Sequence, residues 1–222
     1  MPTFFCQYTI LESARDDCMT FFGGMTEEDD RRDMGDIRLL GRWSTVGESS
    51  GYCVCEADTA KSVMAWMYNW ATMATIKVSP VVNDEQARRI ILDKDDVYAG
   101  MDCAGANSLP REGESLYFIK YKFHEGKRAD GFQAFANLTA DLDANDAGSN
   151  KCLGRWHNLG MGSGIAVCSS KSEEDLYKWA YNWASMCDCD IVPVVHDSEC
   201  RAVIQSKPGF ARKHALLMAK MV

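Results

Sequence analysis

The chain has 222 residues, 46% of them hydrophobic, which allows one large domain or two small ones with a buried core and argues against disorder. A formal net charge of −8 and a pI near 5.0 exclude nucleic acid and anionic membrane surfaces as main partners, because both are polyanions. Ten cysteines are present, but Cys6, Cys53, Cys55, Cys168 and Cys200 sit in apolar runs, so buried free thiols are expected rather than a disulfide scaffold.

The opening segment MPTFFCQYTILESARDD lacks the basic, long apolar and small-residue regions of a targeting signal. No run approaches the roughly eighteen apolar residues of a membrane span. A soluble, cytoplasmic protein is expected, with a mature organelle protein as the other compartment considered. In TFFCQYTI, alternation puts Phe4, Cys6, Tyr8 and Ile10 on one face of a strand. A helix follows over about 12–25, then a polar loop over 26–36 and a strand over 37–44, which turns through VGESSG into a strand over 51–57. Asp58 and Thr59 are placed to cap a helix whose Val63, Trp66, Trp70 and Met73 form an apolar stripe. KVSPVV is the last strand, and its Pro80, like Pro193 later, belongs at an edge or an end.

The pattern then starts again at an offset of 113 positions, as from Trp66 to Trp179. Tyr8 meets Tyr121, Gly41-Arg42-Trp43 meets Gly154-Arg155-Trp156, WMYNWATM meets WAYNWASM, Pro80-Val81-Val82 meets Pro193-Val194-Val195, and Arg88 meets Arg201. The second copy has strands at 116–123, 150–157 and 164–169, helices at 125–140 and from 170–172 onward, and a loop at 141–150. The organisation is a first repeat at 1–94, a Gly- and Pro-bearing linker at 95–115, a second repeat at 116–207 and a tail at 208–222. The tail reads as a short helix starting at Pro208, with Phe210, Leu217 and Met221 along the face that docks on the body.

Each copy is thus a βαββαβ unit, the ferredoxin-like split motif. Two such copies resemble the dimeric α/β-barrel superfamily. Within it, a G-R-W strand followed by a Trp-rich helix and a P-V-V strand looks like a small uncharacterised domain family. The expected fold is α+β, with two ferredoxin-like units in one chain packed as an intramolecular pseudo-dimeric α/β barrel.

No phosphate-binding G-x-x-x-x-G-K or G-x-S-x-G elbow is present, and GMGSG joins two strands. Cys53-Val54-Cys55 and Cys187-Asp188-Cys189 have no accompanying C-x-x-C pair, so neither a metal site nor a cofactor is expected. The acid-rich TEEDDRRDMGD and TADLDANDAG read as solvated loops. Arg42 and Arg155, each beside a tryptophan, either grip a ligand carboxylate or enolate at two points or pair with a neighbouring acid. Asn69 and Asn182, on otherwise apolar stripes, either orient a ligand or tie the helix down.

The copies part where Ser44 and Asn83 become His157 and His196. His157 shares a strand face with Arg155, opposite Trp156, and the nearby cation favours a neutral imidazole able to accept a proton. The resemblance implies a histidine or tyrosine acting in a half-barrel cleft, which adds Tyr121 and, by the repeat, Tyr8. The expected function is binding of a small organic or anionic ligand in a sheet–helix cleft, with cofactor-independent lyase, cyclase or isomerase chemistry centred on the second copy. There Arg155 anchors an oxygen, His157 or Tyr121 moves a proton and Asn182 orients the ligand; Arg42, Tyr8 and Asn69 are the first-copy counterparts. The alternative is a non-catalytic interaction or assembly module. A cavity of roughly 300 Å³ or more beside Arg155 would separate the two readings.

Overall fold

A computed structural model describes the backbone of residues 1–221 and the side chains of residues 1–220. The first repeat runs β1 (Thr3–Ile10), α1 (Arg15–Gly24), α2 (Glu27–Met34), β2 (Arg38–Thr45), β3 (Ser50–Glu56), α3 (Ala60–Asn69), β4 (Ala74–Asn83) and α4 (Asp84–Leu92). The second runs β5 (Ser115–Phe123), α5 (Arg128–Ala136), α6 (Ala140–Ala147), β6 (Lys151–Asn158), β7 (Ser163–Ser170), α7 (Glu173–Trp183), β8 (Cys187–His196) and α8 (Asp197–Gln205), followed by α9 (Phe210–Met221). Thr59 and Ser172 cap α3 and α7 by accepting the backbone N–H groups of Ser62 and Asp175. Cys6, Cys53, Cys55, Cys168 and Cys200 are buried free thiols. Among the described residues no helix is long and apolar enough to cross a membrane.

Two pairs of helices lie where loops or nothing regular were expected. The acid-rich segments are α2 and α6, not solvated loops. Thr26 accepts the Asp29 N–H while the Asp29 carboxylate takes the Thr26 N–H, and four carboxylates in the first turn of α2 complement its N-terminal dipole. Thr139 caps α6 by accepting from the Leu142 N–H. The other pair, α4 and α8, follows each P-V-V strand without a loop. Asn83 and His196 start them, each with a reciprocal bond from Gln86 or Glu199 three residues on.

The chain forms two compact units, unit 1 of Met1–Ser79 with Val195–Val222 and unit 2 of Pro80–Val194. They cut across the repeats, because α4 lies in unit 2 and α8 in unit 1. In unit 1 the strands are ordered β4-β1-β3-β2, and in unit 2 β8-β5-β7-β6, the ferredoxin-like order. Antiparallel registers place Cys6 opposite Cys53 and Ile119 opposite Ala166. Pro80 and Pro193 fall within two residues of the points where the chain passes from one unit to the other.

The G-R-W motif follows from strand alternation. Trp43 and Trp156 are fully buried, and each ring lies over the glycine two residues earlier. A Cβ on Gly41 would come within 2.2 Å of the Trp43 ring, and one on Gly154 within 2.4 Å of Trp156. The arginine between them projects from the opposite face, towards the helices.

The W-x-x-N-W motif closes on an aspartate. Trp66, Asn69 and Trp70 lie at i, i+3 and i+4 on α3, so their donors share one face. Both indole Nε1–H groups donate to Asp33 Oδ2 at 2.8 Å, and Asn69 Nδ2 donates to Oδ1 at 2.9 Å. Trp179 and Trp183 repeat this on Asp146 Oδ2 at 2.8 and 2.7 Å, with Asn182 on Oδ1 at 3.0 Å. The helix α9 packs against α1 in unit 1, where a Cβ on Gly24 would meet the His214 ring at 2.1 Å. The expected place of Met221 on that face lies outside the described side chains.

Removing the clamp strands two indole donors that are buried or half-buried. Asp33→Ala and Asp146→Ala each lower the unfolding free energy by about 1–3 kcal/mol in urea titrations, whereas Asn69→Ala, at an exposed position, costs less.

Candidate functional site

In unit 2 the buried Arg155 is shared by two carboxylates. Its Nη2 donates to Asp84 Oδ2 at 2.6 Å, and Nη1 and Nη2 donate to Asp143 at 3.0 and 2.8 Å. Asp84, the first residue of α4, has no solvent exposure and also accepts the Met101 N–H at 3.0 Å. Its Oδ1 lies 2.8 Å from His157 Nε2, and His157 Nδ1 lies 2.6 Å from the Tyr121 hydroxyl. A charged Asp84 only accepts, so the network assigns the imidazole proton to Nε2 and leaves Nδ1 to accept from Tyr121 O–H. Phe135 of α5 packs its ring 4.2 Å from that of His157, tilted by 43°, and carries the guanidinium carbons of Arg88 and Arg155 at 4.4 and 5.2 Å.

Two arginines against two aspartates make this cluster electrically balanced. Burial by itself would raise Asp84, but Arg155 and His157 outweigh it and hold the carboxyl well below the usual range. Burial dominates at His157 and lowers its pKa despite Asp84. At Tyr121, burial holds the phenol protonated.

Unit 1 repeats the cluster with α8 in the role of α4. Arg42 Nε donates to Asp197 Oδ1 at 2.7 Å, and Nη2 reaches Asp197 Oδ2 at 2.9 Å and Asp30 Oδ2 at 3.0 Å. Arg201 Nη2 binds Asp30, and its Nη1 donates to the carbonyls of Phe22 and Met25 at 3.1 and 2.6 Å. Phe22 carries both guanidinium groups, at 5.0 Å for Arg42 and 4.3 Å for Arg201. Ser44 stands where unit 2 has His157, and its Oγ lies 3.3 Å from the Tyr8 hydroxyl. Burial raises the Tyr8 pKa as it does that of Tyr121.

The consequence is a difference in free space. A cavity of about 570 Å³ opens in unit 1 between the sheet and helices α1, α3 and α8, lined among others by Tyr8, Arg42, Ser44, Phe22, Trp66 and Cys200. Beside Tyr121, Arg155 and His157 in unit 2 the space is only about 60 Å³. Cys6, Ile10, Met19 and Ser44 of unit 1 correspond to the bulkier Ile119, Phe123, Phe132 and His157. Phe123 and Phe132 meet edge to face at 4.9 Å, and Phe123 lies so close over Gly131 that a Cβ there would come within 2.2 Å of its ring. Replacement runs the other way at Met67 and Cys200, whose counterparts in unit 2 are Ala180 and Ala87, without closing unit 1.

The structure brings Tyr121, Arg155 and His157 together and adds Asp84, Asp143, Arg88 and Phe135, which the sequence reading did not single out. It brings Tyr8 and Arg42 to the large cavity. Asn69 and Asn182 point elsewhere, onto Asp33 and Asp146, and both are exposed. Arg42 and Arg155 are engaged by acids rather than held open as two-point anchors. The signal for the missed carboxylates lies in the repeat itself, since Asp30, Asp33 and Asp84 recur as Asp143, Asp146 and Asp197 at the same offset.

Residues 2–95 and 115–208 each match the family described as Domain of unknown function (DUF3303), and the chain belongs to it. No curated protein matches the chain. Among solved structures, a chlorite dismutase variant from Candidatus Nitrospira defluvii in complex with cyanide is similar at 10% identity and a TM-score of 0.55, over 91% of this chain and 94% of that one. A variant of DypB from Rhodococcus jostii RHA1 in complex with heme is similar at 8% identity and a TM-score of 0.51, over 92% and 95%. At these identities the likeness shows the fold, which is α+β and of the dimeric α/β-barrel class with a tandem ferredoxin-like repeat.

Two measurements probe the cluster. Arg155→Ala leaves two buried carboxylates facing Arg88 alone, one buried charge uncompensated, and lowers the unfolding free energy by about 3–5 kcal/mol, far more than loss of a ligand anchor alone would. Because the folded-state pKa of His157 is depressed, its contribution is present above the ordinary imidazole value of about 6.5 and is lost as pH falls below it. Unfolding free energy therefore declines from pH 6.5 towards 5, and His157→Gln flattens that decline; Asp84, held well below the usual carboxylate range, contributes a decline only below about pH 4.

Proposed function

We propose that this family member binds a small, mainly apolar organic molecule in the cavity of unit 1. The observation that carries the reading is the volume of about 570 Å³ beside Tyr8, Ser44 and Arg42, within the range of sites that enclose drug-sized ligands. Apolar side chains line most of it, with a few hydroxyls and thiols grouped at the sheet. The pair best suited to proton transfer, Tyr121 and His157, adjoins only about 60 Å³, so a lyase, cyclase or isomerase site in the second copy has no room for such a substrate. The packed space beside Arg155 falls short of the volume set for a cleft there, which by itself favours the assembly module; the open cavity in unit 1 is the observation that supports binding instead, there rather than at the second-copy residues.

The DypB structure is in complex with heme, and the donor sets here do not fit that group. No histidine is among the residues lining the unit 1 cavity. Both ring nitrogens of His157 are occupied by Tyr121 and Asp84. Three thiols on the cavity wall are poor ligands as they stand, with burial pushing Cys18 up to about 11, burial raising Cys200, and thiol neighbours with burial raising Cys6 further.

The test is to fill the cavity as unit 2 fills its own. Naphthalene binding, read by the fluorescence of the wall residues Trp66 and Trp70, is lost in the Ile10→Phe/Ser44→His double variant and retained in His157→Gln. Native mass spectrometry of freshly purified protein shows any copurifying adduct in the parent and not in the filled variant. Equal binding by parent and filled variant would rule out the cavity as the site.

A further inference from the structure

We infer that the unit 1 cavity selects an uncharged molecule that presents a carbonyl-type oxygen acceptor from an apolar body; this rests on the reading above and narrows it. The first support is a count of protons. Tyr8 and Ser44 carry one O–H each, and the contact between them uses one, whichever way it runs. The Cys200 thiol, also hydrogen-bonded to Ser44, is only a weak partner, so one hydroxyl proton is left for a better acceptor from the cavity, and burial keeps the phenol from ionising.

The second support is the other copy. Tyr121 donates its proton at 2.6 Å to a neutral acceptor supplied by the protein itself, the lone pair of His157 Nδ1. In unit 1 that acceptor is missing because Ser44 is short, and the Tyr8 to Ser44 separation of 3.3 Å is a weak substitute. The occupied site in unit 2 therefore describes what the open site in unit 1 lacks: an uncharged acceptor facing the tyrosine hydroxyl.

The third support is charge. Arg42 and Arg201 are balanced by Asp30 and Asp197 through close contacts, so no surplus cation remains to offset a buried carboxylate. The two aspartates are equally engaged, which leaves no buried acid for an ammonium group. Arg15, Asp16 and Glu48 also line the cavity, but they are exposed and of both signs. Ile10, Met19, Phe22, Met67, Ile76 and Ile204 supply the apolar wall.

The experiment compares 2-decanone, decanoate, decylammonium and naphthalene on the full chain at pH 7 by tryptophan fluorescence. The ketone binds about tenfold or more tightly than either charged probe, and Tyr8→Phe weakens it about three- to tenfold, the worth of one hydrogen bond. Naphthalene, which has no acceptor, binds parent and Tyr8→Phe alike, which also shows that the variant's cavity is intact. Decanoate or decylammonium binding as well as the ketone would overturn the inference, as would a ketone affinity unchanged by Tyr8→Phe. Failure of naphthalene itself to bind the parent, or its equal binding to Ile10→Phe/Ser44→His, would instead remove the underlying cavity reading.

Discussion

Everything near the candidate site depends on one buried guanidinium in each unit. Arg42 and Arg155 sit almost out of water on a strand, where an unpaired cation would cost several kcal/mol, about 3–5 when one partner is removed. Each is stable only because two aspartates and an aromatic face close around it. In unit 1 those partners come from α2, α8 and α1, so a single charge ties three helices to the sheet. This also settles why the arginine is not a free anchor. Its hydrogen bonds hold the wall of the cavity in place, and the net acidity of the chain says little about the interior, where charges cancel.

With the ion cluster the same in both units, the difference lies at the next position on the same strand face. His157 completes a chain from Tyr121 through imidazole to Asp84, and neighbouring phenylalanines fill the remaining space. Ser44 ends short, so the same tyrosine in unit 1 looks into a cavity. The side chains lining this solvent-open space lack the packing partners that their counterparts in unit 2 have, and those forgone contacts are a cost to the fold unless something occupies it. Unit 2 avoids that cost by closing; unit 1 keeps it.

Much of the architecture was legible in the sequence, for identifiable reasons. Period-two alternation marks β1 and β5, hydroxyl caps mark the starts of α3 and α7, and the offset of Trp66 to Trp179 reveals the duplication. The helices α2 and α6 were not legible because they carry no apolar stripe; their inward residues are aspartates whose partners lie far away in sequence. Composition alone makes EEDDRRDM look solvated, yet Asp30 and Asp33 each face buried donors. The helices α4 and α8 were hidden for a different reason. A repeat shows that two segments are alike but not which copy each one packs on, and Asp84 and Asp197 gain their meaning only on the other repeat's arginine. The asparagine of W-x-x-N-W was open between two readings until Asp33 and Asp146 appeared opposite it. Free volume was the least legible quantity, since it depends on the sum of side chains at positions scattered over eight elements.

The crossing of α4 and α8 constrains what a single repeat is able to do. The first repeat contains Arg42 and Asp30 but not Asp197; the second contains Arg155 and Asp143 but not Asp84. Taken alone, either repeat would keep its arginine, one carboxylate and the aromatic face but lose the second carboxylate and its hydrogen bonds, a state the desolvation cost disfavours. Two identical repeats on separate chains would satisfy the charges but would have to carry serine or histidine at both sites. Joining the copies covalently removes that restriction: the ion clusters stay paired while residue 44 and residue 157 differ, so one unit is sealed and the other is left open.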